Sequence, residues 1–123
     1  MDIQFYPEGF SPKPKEEVVI EQIEIAVYPD RFRVFVHVVV TPFHDRPNLL
    51  IVAREKASGL IRAELNIIET MHHDMEFTLH LRTQGHDPAG DYTLSAELFY
   101  ETRNPPQHRF AIEFTVPAEG EAE

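Results

Sequence analysis

The chain has 123 residues, 42% of them hydrophobic and 26% charged, which suits one domain around one core. Its 11 basic and 21 acidic side chains leave a net charge of −10 with no Lys/Arg cluster, which argues against nucleic acid or an anionic membrane as partner. With no cysteine, disulfides and thiol chemistry are excluded, and stability must come from packing.

The start, Met1-Asp2-Ile3-Gln4, has neither the basic nor the apolar region of a signal peptide. No stretch approaches the length of a membrane span. A cytoplasmic protein is therefore the expectation. Residues 1–16 carry Pro7, Gly9, Pro12 and Pro14, which exclude a helix and predict an extended arm. Phe5, Tyr6 and Phe10 are apolar anchors on that arm, either tucked against the body or docked on a second molecule.

Residues 17–116 read as a succession of strands. The first spans 18–28, with Ile23, Ile25 and Val27 on one face. Pro29-Asp30 turns the chain into a strand at 31–41. Its inner face is Phe32, Val34, Val36, Val38 and Val40, and its outer face, Arg33, Phe35, His37 and Val39, is apolar for a solvated surface. Pro42 ends it, because proline has no N–H to give a ladder. The continuous apolar run Leu49 to Ala53 reads as a central strand. After a turn at 56–59, Ile61, Ala63, Leu65 and Ile67 are expected to face inward, and Arg62, Glu64 and Asn66 outward. The alternation outweighs the fair helical propensity of residues 55–65.

Met75, Phe77, Leu79 and Leu81 form the inner face of the next strand, and Tyr92, Leu94, Ala96, Leu98 and Tyr100 that of the one after. Pro88 and Gly90 break the ladder between these two runs and force a corner. Phe110, Ile112, Phe114 and Val116 mark the last strand, after a turn at 102–107. Residues 117–123 read as an acidic flexible tail. Strands at this spacing predict an all-β, seven-stranded Greek-key sandwich.

The pattern Asp87-x-x-Gly90-x-Tyr92-x-Leu94 resembles the corner of bacterial immunoglobulin-like and fibronectin type III-like domains. The resemblance covers about residues 17–116 and lacks the cysteines and strand-C tryptophan of antibody domains. It implies that Gly90 permits the tight turn and that the Tyr92 hydroxyl bonds back to upstream backbone. It carries over no catalytic or binding residue, because this fold hosts adhesion, chaperone, carbohydrate-binding and spacer roles alike.

Two surfaces stand out as candidate sites. Phe35, Val39, Ile68 and Phe99 are apolar residues on outer faces, which points to a protein partner or a homodimer. The second is a set of loop residues, His44, Asp45, His72, His73, Asp74 and His108, which the seven-strand topology gathers at one pole near Arg46, Arg103 and Asn104. Imidazole and carboxylate suit zinc, nickel or iron, yet no spaced metal motif is present, and solvated loop histidines are the simpler expectation. His37 and His80 read as plain surface residues. No Gly-x-Ser-x-Gly and no glycine-rich phosphate loop occurs. The sequence thus favours a non-enzymatic interaction or self-association module without a cofactor. A metal- or small-ligand-binding domain using the loop pole is the alternative, and a spacer domain with no ligand of its own is a third.

Overall fold

A computed structural model describes residues 11–120. They form an all-β sandwich of seven strands: β1 (Ile20–Val27), β2 (Arg33–Val40), β3 (Asn48–Glu55), β4 (Ile61–Ile67), β5 (Asp74–His80), β6 (Gly90–Phe99) and β7 (His108–Val116). One sheet has the order β1-β2-β5 and the other β4-β3-β6-β7, and every ladder pair is antiparallel. The fourth strand, β4, pairs with β3 in the four-stranded sheet. Residues 55–67 contain a turn and a strand, not a helix.

Alternation decides the core. Val34, Val36, Val38 and Val40 on β2, and Tyr92, Leu94, Ala96 and Leu98 on β6, are fully buried. β-branched valines suit the pleated surface of a central strand, and each large side chain moved out of water contributes roughly 1.5–3 kcal/mol. Burial is weaker toward the sheet edges. Ile25 and Val27 on β1, Leu65 and Ile67 on β4, and Phe110, Ile112 and Phe114 on β7 are only partly buried against that core.

Two inward expectations and one outward expectation fail, each for a local reason. Phe32 is 43% exposed because it precedes β2, in a turn where Asp30 Oδ1 accepts the N–H groups of Phe32 and Arg33. Ile61 is 45% exposed, and Arg62, expected outside, is buried. The β3–β4 register slips between Ala53 and Arg54, so Ile61 pairs with Arg54, Ala63 with Ala53, and Arg62 is the extra residue of a bulge. Its guanidinium reaches Glu55 Oε1 at 2.9 Å and the carbonyl of Arg82 at 3.4 Å. The Ser58 hydroxyl at 2.5 Å, and then Arg62, hold the Glu55 carboxyl below its ordinary pKa.

The β5–β6 corner is closed by a side chain. Gly90 adopts φ 136°, a conformation that disfavours any residue with a Cβ. The buried Tyr92 hydroxyl donates to the carbonyl of Pro88 at 2.7 Å. Its ring stacks on Phe114, with centroids 5.0 Å apart and planes within 10°. Asp87 accepts from the Ala89 N–H at 3.0 Å and from Arg31 at 2.8 Å, and these bonds lower its pKa in that order. Arg31, in the left-handed region at φ 68°, also donates to the Pro117 carbonyl at 3.0 Å and lies 3.9 Å from Glu119. The start of the tail is therefore fixed to the β1–β2 turn and the corner.

At the other end of the chain, Lys13 bridges Phe43, and a short 3-10 turn at Lys15–Glu17 departs from the fully extended arm. Gln107 holds that turn through the carbonyls of Lys15 and Val18, at 2.6 and 2.8 Å. Phe5, Tyr6 and Phe10, and residues 121–123, lie outside the described residues.

The corner bond is open to a direct measurement. Tyr92→Phe keeps the ring packing but leaves the buried Pro88 carbonyl without this donor, which should cost about 1–3 kcal/mol. Urea unfolding would read this as a lower midpoint at an unchanged slope. A midpoint equal to that of the parent would mean that the hydroxyl contributes nothing to the corner.

Candidate functional site

The β2–β3, β4–β5 and β6–β7 connections meet at one pole of the sandwich. Asn48, the first residue of β3, ties all three together. Its amide donates to the Tyr100 carbonyl at 2.8 Å and accepts from the Glu69 N–H at 2.8 Å. Tyr100 then donates its hydroxyl to the Asp45 carbonyl at 3.0 Å. Burial, with the Asp45 and Glu16 charges, pushes the Tyr100 phenol up to about 12, so it remains a donor throughout the neutral range. Thr70 N–H reaches the Pro47 carbonyl at 2.9 Å, and Val40 N–H reaches that of His73 at 2.8 Å.

The histidines do not converge on one centre there. The β2–β3 loop crosses the pole from one sheet to the other and separates it into two hollows. His44, Asp45 and Arg46 line one of about 420 Å³, together with Lys15, Glu69 and Tyr100. His72, His73 and Asp74 line another of about 250 Å³, walled by Pro42, Phe43 and Met71. His108 lines neither hollow, and its Nδ1 accepts the Ile20 N–H at 3.0 Å, which fixes β1 against β7. Among the described residues, no three His, Asp or Glu side chains come together to hold a metal ion. Arg103 turns instead to Glu97 at 3.7 Å.

Asp74 has a partner outside the pole. Its Oδ1 lies 2.6 Å from Nε2 of His37, whose Nδ1 is 3.5 Å from Glu24. His37 is thus part of a charged row across the outer face of the three-stranded sheet, with Glu24 beside it on β1 and Glu76 beside it on β5. The Asp74 bond, and then Glu24, raise the His37 pKa above its ordinary value. The plain surface histidine expected from the sequence is a paired one. Its outward position was readable from alternation, but its partners depend on strand register.

The four apolar candidates do not form one patch. Phe35 and Val39 flank His37 on the outer face of β2 and are half-buried. Phe99 is half-buried on the other sheet, across from Asn48. Ile68, just past β4, is 66% exposed. Met71, on the same β4–β5 connection, is 69% exposed and was not singled out by the sequence, because a lone methionine in a loop has no periodicity. Leu60, 54% exposed, lies at the far pole.

No protein-family model matches the chain, and no curated protein matches it. Solved structures do share its fold. A glycosyl hydrolase family 2 member from Bacteroides cellulosilyticus superposes with a TM-score of 0.52 at 13% identity, over 80% of this chain and 14% of that one. A second structure of a family 2 member, from strain DSM 14838, gives 0.50 at 14% identity, over 80% of this chain and 15% of that one. The chain thus spans about one seventh of each of those proteins, and the likeness is of one β-sandwich domain.

The His37 pair predicts a pH dependence. A raised folded-state pKa means that the pair stabilises the fold fully below the unfolded value of about 6.5, and that this contribution is lost as pH rises through the folded value. Asp74→Asn should bring the His37 titration, followed by NMR, back toward the ordinary range and flatten that part of the stability profile. An unchanged titration would show that Asp74 does not set it.

Proposed function

We propose that this protein is an immunoglobulin-like or fibronectin type III-like interaction domain, without catalytic activity of its own, that binds a protein partner through its apolar loop pole. The observation that carries this reading is the exposure of Ile68 and Met71, at 66% and 69%, on one connection, with Met71 beside Pro42 and Phe43. Large apolar side chains held on a structured loop cost solvation without helping the fold, and this is the character of a contact surface. Asn48, Thr70 and Tyr100 brace the surrounding backbone, so the loop is preorganised for binding. The glycosyl hydrolase likeness supports the reading only in that this fold recurs there as a small part of a larger chain.

Replacing both residues, Ile68→Ser with Met71→Ser, should abolish recovery of a stoichiometric partner from source lysate. Thermal stability should stay within about 0.5 kcal/mol, as for other surface changes. Equal recovery of the same partner by parent and variant would remove the loop pole as the contact.

A further inference from the structure

The free edge of β7 is shaped to pair with itself. β7 closes the order β4-β3-β6-β7, so among the described residues one side of its backbone has no ladder partner. It is the longest edge strand, nine residues, His108–Val116, and its register with β6 runs without a slip. No proline, lysine or bulge blunts it, although natural edge strands usually carry such protection. Its inward residues Phe110, Ile112 and Phe114, and Ile25 and Val27 on the facing edge β1, remain partly open to solvent. The core thus ends in an unfinished apolar seam along this side of the sandwich.

We propose that two copies of this chain associate by antiparallel pairing of β7 with β7, centred on Ala111. A two-fold axis perpendicular to the sheet keeps opposed side chains on one face, so it must pass through a residue that meets itself. Centring on Ala111 sets Arg109 opposite the partner's Glu113 twice, with small side chains between. Arg109 makes no ion pair among the described residues. Glu113 is already held on the same outer face by Lys56 at 2.5 Å. On the inner face, Phe110 meets the partner's Ile112, so the two seams close into a joint core beneath an eight-stranded sheet. The other edges are less suited to self-pairing. β4 would oppose two Glu64 carboxylates at its centre, β1 carries a register slip with Glu21 and Glu24, and β5 carries Asp74 and Glu76. This inference adds a second surface to the interaction reading and does not depend on Ile68 or Met71.

Sedimentation across a concentration series tests it. The parent should approach twice the chain mass of 14.2 kDa, and Ala111→Lys and Arg109→Glu should each return it to that mass, with circular dichroism confirming that both variants stay folded. The chain has no native cysteine, so Ala111→Cys should cross-link to itself under glutathione disulfide, while Thr115→Cys, four residues off the axis, should not. A parent of single-chain mass at every concentration would overturn the proposal, as would a dimer that survives Ala111→Lys. The Ile68→Ser, Met71→Ser variant should remain dimeric, which separates this contact from the loop-pole contact.

Discussion

The Tyr92 hydroxyl on the Pro88 carbonyl is the constraint from which much of the structure follows. Without a disulfide, the sheets are held together by packing and a few hydrogen bonds, and the point where the chain crosses between them has to be fixed by some other means. Tyr92 does this from a fully buried position, with its ring on Phe114 and its hydroxyl on the corner. Once it is placed, the inward set of β6 is defined, and the ladders to β3 and β7 follow from it. Asp87 and Arg31 extend the same anchor to the β1–β2 turn and to the chain beyond β7. One pole is thus tied by a charged knot centred on a buried arginine.

The other pole is built differently. It is tied by neutral groups: the Asn48 amide, the Tyr100 hydroxyl and backbone N–H groups from the loops. These ties leave Ile68 and Met71 projecting on a braced backbone. The charged end completes the fold, and the neutral end presents side chains that the fold does not use.

Burial follows position in the sheets. β2 and β6, flanked on both sides, bury their inward residues fully, whereas β7, flanked on one side, leaves three aromatic or branched residues half covered. The gradient reflects geometry, since an edge strand has no neighbour to shield its far flank. In a chain with a net charge of −10, general repulsion keeps copies apart, so any association must rest on local complementarity. The Arg109 and Glu113 spacing on β7 provides such a local exception.

By itself, the sequence determined the seven-stranded sandwich. Side chains alternate with a period of two wherever one face is buried, and Pro, Gly and Asp interrupt the runs at the turns. The corner was legible for the same reason, in Pro88, Gly90 and Tyr92. Only the tertiary structure decided where that alternation fails. The bulge that buries Arg62 and exposes Ile61 depends on β3, a separate stretch of chain. The His37–Asp74 pair depends on the register of β2 against β5, which no local pattern encodes. Topology brought the loop histidines to one pole, but the path of the β2–β3 loop parted them into two hollows. Local chemistry sets each residue's preference for core or solvent, whereas contact between distant residues is set by register and loop path, which the whole packed fold fixes at once.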